Sequence, residues 1–469
     1  MSVIKFIYNI FYILDGSIRQ IIYICVINEC YESSCEISTI FFQLVAFLLG
    51  SLAPLYGNVF NFVLLAFMMV LFGINGKEML QNLRGVRWYI RINVAFLIYF
   101  SLHTLVVLLK DEPIAPPSFG TFEVLLLNFI LVPMYVSTFK NWITPELLKR
   151  FLFFFCLGCV LLNIYIFFSL TGTQLFSAPA DTLSWIYNMR FGVNRDVLGS
   201  KFWLEIQAMI IAIASLASYL LVISVKGWKM KVFCGFMFLM LVLFLSFTVT
   251  KSSILGFLTG FLILNVCLFR KFSLRMRYGL IAGLLVCVCG FSLLTDLAMY
   301  EKRIQEIEAE IQSVRSGEYR GATIVPRVAF IRESFRHLDE FSVWGLGVCT
   351  KHRIKAWYES SDLNIANYNN VNNAFLQYWI TGGIFGLVLV LFLFVAPVYC
   401  MIRRKKFSSL IFAMLIVFFT VSNTCVTLSW ANSRLFVLFF LAMFYFYGDL
   451  FARIEDFSED KPVFDKETI

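Results

Sequence analysis

The chain has 469 residues, of which 60% are hydrophobic and 15% are charged, and its formal net charge is +9. Soluble domains carry roughly 45–50% apolar and about 25% charged residues, so this chain has too little polar surface to cover a water-facing particle of its size. The composition excludes a soluble globular enzyme, a disordered chain and a coiled coil, and it indicates a polytopic membrane protein. Basic cytoplasmic loops explain the positive charge, so no nucleic-acid partner is expected.

The first segment, residues 1–36, is predicted to be cytoplasmic or interfacial. Its two apolar pieces, Val3–Leu14 and Ile18–Ile27, are separated by Asp15–Gly16. Each piece is too short to cross a bilayer, which needs about 20 apolar residues in a helix. No basic stretch followed by an apolar run and a small-residue cleavage site is present, so no removable signal peptide is expected.

Apolar runs of spanning length predict an all-α, polytopic integral membrane protein with about 12 transmembrane helices. Nine helices are expected within residues 37–297 and three within 372–451, followed by a cytoplasmic acidic tail at 452–469. The predicted spans are 39–56, 59–76, 90–109, 122–139, 151–170, 203–225, 231–249, 252–269, 278–297, 374–400, 407–428 and 433–450. Cys156 and Cys159 lie within one apolar span and are interpreted as small packing residues.

Four short connections carry clusters of basic residues, and all four lie on one side if the helices simply alternate. The positive-inside rule makes that side cytoplasmic, with both termini inside. We therefore predict a multi-pass protein of the bacterial inner membrane. The basic residues are Lys140, Lys149 and Arg150, then Lys226, Lys229 and Lys231, then Arg270, Lys271, Arg275 and Arg277, and finally Arg403, Arg404, Lys405 and Lys406.

Two long polar segments lie on the opposite, periplasmic side: Thr171–Lys201 and the large loop at residues 298–371. Within the large loop, apolar residues recur at helical spacing in Glu301–Arg315 and again after Pro326. This pattern predicts two amphipathic helices that lie on the membrane face, with Pro326 in the first turn of the second helix.

Several cations of this predicted outer side are candidate binding residues. Arg332 and Arg336 share one helix face at i, i+4 spacing, and Arg327 is near the start of the same helix. Arginine donors match phosphate oxygens in pairs. The alternative interpretation is a solvated helix face whose arginines pair with neighbouring acidic residues.

Lys251 separates two apolar runs that have hardly any loop between them. A cation at a membrane boundary is a functional candidate by default, and the alternative is a lysine that snorkels at a helix end. Arg190 and Arg195 lie in a glycine-containing turn before the sixth span, where the alternative is simple solvation in an outer loop.

No sequence motif for a metalloprotease, a nucleotide-binding P-loop, a serine hydrolase or a zinc site is present, so no metal and no cofactor are expected. The separated outer cations suit an anionic, lipid-attached ligand such as a diphosphate.

The ordered motifs resemble those of the O-antigen polymerase and O-antigen ligase superfamily. Pro326–Gly347 resembles the arginine helix and Gly-x-Gly turn of that family, and Asn372–Gly386 resembles its asparagine-led helix with Gly-x-x-Gly. The segment TVTKSSILGFL is similar to a family helix start with Lys251 near an arginine position, and RFGVNRDVLGS is similar to a family turn before a span.

The resemblance implies a membrane-embedded glycosyltransferase whose donor is a glycan on undecaprenyl diphosphate. Arg190, Lys251 and Arg327 would hold the donor diphosphate, and Arg332 and Arg336 would support it or contact a second lipid-linked unit. Arg195 is a further candidate for substrate binding. The partners would be the lipid bilayer, the lipid-linked oligosaccharide and, as a further candidate, a chain-length regulator protein.

One departure concerns the base. Family ligases carry a histidine just before the conserved asparagine, whereas this chain has Asn372 ahead of Asn373. An asparagine cannot take a proton at neutral pH, so either another residue is the base or the site works through orientation and leaving-group stabilisation alone. The base is unassigned, with Asn372, Asn373 and His337 as candidates. The substitution favours a surface-polysaccharide polymerase. The alternatives are an O-antigen ligase that transfers the glycan to lipid A–core, and a non-enzymatic flippase or transporter of lipid-linked oligosaccharide.

Overall fold

The computed structural model describes residues 32–54, 57–85, 87–110, 130–139, 142–172, 196–197, 200–201, 204–269, 297–319, 321, 324–363 and 365–456. Within these residues the regular structure is helical, apart from the two-residue antiparallel strands β1 (Asp196–Val197) and β2 (Ser200–Lys201). The prediction of an all-α polytopic membrane protein is confirmed, with this small hairpin as an addition. Residues 1–31, residues 122–129 of the predicted span at 122–139, and residues 278–296 of the predicted span at 278–297 lie outside the described part.

The first half of the described chain is a series of apolar helices. They are α1 (Glu32–Ser51), α2 (Gly57–Gly85), α3 (Arg87–Leu109), a helical stretch at residues 130–138, α4 (Pro145–Thr171), α5 (Leu204–Ser224), α6 (Trp228–Thr248) and α7 (Lys251–Phe269).

The second half begins with the helices of the large loop and returns to apolar helices. They are α8 (Leu297–Ser316), α9 (Ile324–Arg336), α10 (Leu338–Phe341), a 3-10 turn (Gly347–Cys349), α11 (Thr350–Glu359), α12 (Ala374–Arg403), α13 (Ser409–Ser422) and α14 (Ala431–Ile454). Among all described helices, seven are long and apolar enough to cross a membrane, namely those of α3, α4, α5, α6, α7, α12 and α14. The total of twelve spans stays a prediction.

Helix α5 is the centre of the bundle and is buried along almost its whole length. It runs antiparallel to α4, because the Cys156 thiol donates to the Ala214 carbonyl at 3.3 Å and Gln207 Nε2 donates to Asn163 Oδ1 at 3.3 Å. Both cysteines of α4 are buried and free, in agreement with a packing role.

Two tight hairpins then set the directions of α6 and α7, and α13 packs antiparallel to α7. A Cβ atom added at Gly256 would lie 3.2 Å from the Val417 Cα, and one added at Gly260 would lie 2.8 Å from the Ala413 carbonyl oxygen. The starts of α5 and α7 therefore lie at the same end of the bundle as the end of α13. We call this end, which carries the α13–α14 connection at residues 423–430, the site end.

The basic connections within the described residues lie at the other end of the bundle. The α5–α6 connection, the α12–α13 connection and the start of α4 are all there, as the hairpin directions require. The described residues of three of the four clusters thus share one end, as predicted. The orientation of that end with respect to the cytoplasm stays a prediction, because the cluster at 270–277 lies outside the described residues and no membrane is present.

The large loop contains more helices than the two that were predicted. Helices α8 and α9 occupy the expected positions, with Pro326 in the first turn of α9, but α10, the 3-10 turn and α11 are additional. These short elements escaped prediction because Gly345 and Gly347 interrupt any helical periodicity between residues 338 and 359.

This loop has its own apolar core, which is docked on the first half of α12. Phe330 of α9, Ile354 and Tyr358 of α11, and Ile380 of α12 are fully buried there. Half of the predicted apolar stripe is exposed: Ile304, Ile311, Ile331 and Phe335 are 39–56% exposed, whereas its other residues are partly buried. An exposed apolar stripe is what a helix lying on a membrane presents, so that prediction stands untested.

The C-terminal helix is longer than predicted. Helix α14 runs to Ile454, and the Glu455 carboxylate is buried, where it accepts hydrogen bonds from the Ser409 and Leu410 backbone amides at 2.9 Å each. A carboxylate at these amides caps the start of α13. The predicted acidic tail therefore begins after this residue rather than at 452, and residues 457–469 lie outside the described part.

Candidate functional site

Helix α9 is held at its start by an acid from the preceding helix. The Glu310 carboxylate of α8 accepts hydrogen bonds from the Ile324 and Val325 amides, at 2.5 and 3.3 Å. A carboxylate satisfies otherwise unpaired amides and complements the positive end of the helix dipole. Pro326 has no N–H to satisfy, so it fits the next position. These contacts position Arg327, which follows at once.

Arg327 joins the large loop to the site end. Its side chain is half-buried, and Nε makes a long hydrogen bond of 3.5 Å to the Thr424 carbonyl oxygen in the α13–α14 connection. The residue is therefore located where a loop helix meets the ends of the membrane helices. Its role in binding a diphosphate stays a prediction.

Asn373 reaches the same connection from α12. Its Oδ1 accepts from the Leu376 amide at 3.0 Å, which caps α12, and its Nδ2 donates to the Asn423 carbonyl at 3.2 Å. Such a cap contributes about 0.5–2 kcal/mol. The side chain is thus occupied by two structural contacts, and the preceding Asn372 has a left-handed backbone with φ of 48°.

Lys251 is the first residue of α7, lies directly at the site end and is exposed. Gly260 and Ala413 are at one level of the bundle, and Lys251 and Ser422 are each nine residues further toward the site end. At 1.5 Å per residue both lie about 14 Å from that level. Lys251 is therefore at the depth at which α13 ends and the 423–430 connection begins.

Glu205, in the first turn of α5, is a site-end acid that our sequence interpretation missed. Glu205 lies close enough to the buried Cys425 to influence the pKa of its thiol. Burial raises the pKa of this thiol, the Glu205 carboxylate raises it further, and the Arg327 guanidinium lowers it. The acid and the arginine thus both act on Cys425, one from α5 and the other from α9. Acidic residues are common near helix starts, because they interact favourably with the positive end of the helix dipole. The sequence therefore gave no specific indication that Glu205 is a site residue.

Arg434 is a second residue that the sequence analysis missed. It lies in the first turn of α14, is 1% exposed, and its Nη1 makes a 3.5 Å contact with the Ser429 carbonyl. Among the described residues its Nε has no hydrogen-bond partner. Nearby, the Tyr378 hydroxyl donates to the Leu428 carbonyl at 3.0 Å. The available signal was an arginine inside a predicted span, which is a functional candidate by default.

Arg332 and Arg336 are engaged within the large loop. Arg332 Nη1 donates to the Tyr319 hydroxyl at 2.6 Å, and its guanidinium lies over that ring at 5.1 Å. Arg336 pairs with the buried Glu333 at 2.9 Å and with the exposed Asp362 at 3.2 Å. The hydrogen bond from Arg336 lowers the pKa of the Asp362 carboxyl. Arg336 thus follows the alternative that we had given, pairing with acidic neighbours, while a contact to substrate stays a prediction for both arginines.

His337 is located away from Arg327. It stacks on Trp357 with ring centroids 4.7 Å apart, and its Nδ1 is 2.7 Å from Glu340 Oε1. Ten residues of helical rise separate it from Arg327, which is about 15 Å. The remaining predicted site residues, Arg190 and Arg195, lie outside the described part of the chain.

Part of the chain matches a known family model. Residues 236–391 match the family model described as O-antigen ligase. This stretch contains Lys251, Arg327, Asn372 and Asn373, and it ends before the α13–α14 connection. No curated protein matches the chain. Residues 236–391 are thus similar to the O-antigen ligase family, in agreement with the resemblance of their motifs to the O-antigen ligase and polymerase superfamily.

Proposed function

We propose that the protein is a surface-polysaccharide polymerase that joins undecaprenyl-diphosphate-linked repeat units at the periplasmic face of the bacterial inner membrane. One observation carries the proposal: Lys251 and Arg327 come from separate parts of the matched domain, and both lie at the site end, opposite the basic connections. If those connections are cytoplasmic, the two cations face the periplasm.

The proposed reaction is a glycosyl transfer between two lipid-linked units. A hydroxyl of the acceptor sugar attacks the anomeric carbon of the donor, and the bond from that carbon to the diphosphate oxygen breaks. The electron pair leaves with the diphosphate, where negative charge increases in the transition state. Arg327 and Lys251 would stabilise that charge, and removal of one such donor typically lowers the rate by about 10²–10³-fold. Arg190 and Arg195 are proposed to add to this cationic surface.

The choice of polymerase over ligase rests on the residue at the family's histidine position. Asn372 cannot act as a base, and the amide of Asn373 is occupied by the α12 cap and the Asn423 carbonyl. A ligase that transfers glycan to lipid A–core remains the second candidate function, because it uses the same donor chemistry and the same matched domain.

A deletion strain distinguishes these functions on a gel of lipopolysaccharide. Loss of the polymerase should leave the core capped by a single repeat unit. Loss of a ligase should leave a bare core, with polymer still on the carrier lipid, and loss of a flippase should trap single units on the inner leaflet. Long-chain bands that persist unchanged would refute the proposal.

A further inference from the structure

A proton acceptor is missing from the proposed reaction, because the attacking hydroxyl loses a proton and neither asparagine can take it. His337, the remaining candidate, stacks on Trp357 about 15 Å along the helix from Arg327. At the site end, the Glu205 carboxylate acts electrostatically on the Cys425 thiol, as the Arg327 guanidinium does, whereas the Glu310 carboxylate is occupied by the amides at the start of α9.

The helix packing gives an independent estimate of the depth of Glu205. A Cβ atom at Gly260 would lie 3.3 Å from Leu216 of α5 and 2.8 Å from the carbonyl oxygen of Ala413, so these residues share one level. Glu205 is eleven residues above Leu216, about 16 Å, and Thr424 is eleven residues above Ala413 along the antiparallel α13. Glu205 is thus level with Thr424, whose carbonyl contacts Arg327.

The state of the side chain also fits a proton acceptor. Glu205 is half-buried, so solvent or a substrate hydroxyl can reach it. Among the described residues it forms no hydrogen bond and no ion pair, in contrast with the other loop and site-end acids such as Glu310, Glu333 and Asp362.

We propose that Glu205 is the general base of the glycosyl transfer. This inference rests on the proposed function and adds the residue that accepts the proton. The acceptor O–H proton moves to the Glu205 carboxylate while the acceptor oxygen forms its bond to the anomeric carbon. The donor carbon–oxygen bond breaks, its electron pair leaves on the diphosphate near Arg327, and the carboxylic acid later returns the proton to water.

Substitution of Glu205 tests this role with full-length protein in detergent. The substrate is the lipid-linked repeat unit extracted from the deletion strain, and the binding probe is undecaprenyl diphosphate. We expect E205Q to lower kcat by about 10²–10⁴-fold, the usual contribution of a general base. Its affinity for undecaprenyl diphosphate should be unchanged or higher, because loss of a negative charge near Arg327 cannot weaken anion binding there. E205D, which retains a carboxylate, should keep more activity than E205Q.

Glu146 supplies a matched control. It occupies the same second position of a helix, in α4, but at the opposite end of the bundle, where it is exposed and 3.9 Å from Lys149. E146Q should retain wild-type kcat and binding.

The outcomes separate the base assignment from the proposed function. If E205Q keeps the kcat of E146Q, or if it loses undecaprenyl diphosphate binding in parallel with turnover, Glu205 is not the base. If the deletion strain itself shows unchanged long chains, the proposed function fails irrespective of Glu205.

Discussion

At the scale of single residues, the α13–α14 connection is the point at which distant parts of the chain meet. Arg327 donates to the carbonyl of Thr424, and Asn373 donates to the carbonyl of Asn423, the residue before it. Glu205 and Arg327 both act on the thiol of Cys425, the residue after it. The carbonyls of residues 423 and 424 therefore bind side chains from α12 and α9, and the neighbouring Cys425 thiol is influenced electrostatically by Glu205 of α5.

The cations of the site end should be indispensable for elongation. We expect R327A and K251A to remove long-chain polymer while the variants still insert into the membrane, because each substitution removes a positive charge from the proposed diphosphate site. Polymer length on a gel and protein abundance in membranes are the two measurements. K251R should retain long chains, since it preserves the charge.

Lys351 of α11 is a suitable control for these substitutions, because it is an exposed lysine of the large loop that also contains Arg327. K351A should give normal chain lengths. Near-normal chains in both R327A and K251A would contradict the site assignment.

At the scale of secondary-structure elements, helix α12 is broken where the large loop enters it. Gly383 has φ of 59°, and the Val343 carbonyl accepts a hydrogen bond from the Ile384 amide at 3.2 Å, while the Leu346 amide donates to the Ile380 carbonyl at 2.8 Å. The loop thus forms hydrogen bonds with an amide and a carbonyl of α12 that lie next to the break. A Cβ atom at Gly383 would lie 2.0 Å from the Val343 carbonyl oxygen. Only glycine allows this approach and this conformation.

We expect G383A to separate the loop from α12 and to lower both stability and elongation. The left-handed conformation alone costs a non-glycine residue about 1–2 kcal/mol, and the backbone clash adds to it. Thermal unfolding in detergent measures the loss. G235A in α6 is the control, because no described atom lies within 4 Å of the added Cβ, and alanine favours a helix over glycine. Equal midpoints for the two variants would show that the break is not needed.

At the scale of the whole molecule, the basic connections and the proposed site lie at opposite ends of the bundle. The basic connections of the described part occupy one end, and the proposed site occupies the other. A lipid-linked donor bound at the site end would keep its polyprenyl chain in the bilayer beside the bundle. If the proposed site is correct, the large loop lies next to the reacting groups.

Accessibility labelling tests this orientation. K351C, on the loop, should react in intact cells with a maleimide that does not cross the inner membrane. K405C, in the α12–α13 connection, should react only after lysis, because the positive-inside rule places this connection in the cytoplasm. Both positions are exposed, so a difference in labelling reports their side of the membrane. The unsubstituted protein gives the background of its native cysteines. The reverse labelling pattern would overturn the periplasmic assignment of the site.

The membrane class, the separation of basic connections from the loop and the candidacy of Lys251 and Arg327 followed from the sequence alone. Hydrophobic length and the position of charges are local properties, so they can be obtained from consecutive residues. Pro326 likewise predicted the start of α9, with Arg327 directly after it.

The location of Glu205 and Arg434 at the site end was determined only by the tertiary structure. In the sequence, the first is an ordinary acid at a helix start and the second an arginine near the edge of an apolar run. Their significance depends on which helices pack together: α5 and α13 are antiparallel neighbours although about two hundred residues separate them. No local pattern encodes that pairing, because it results from the fit of whole helix surfaces, such as the close approach at Gly260. Hydrophobicity therefore determined that the chain enters a membrane, and packing determined which charged groups meet at its edge.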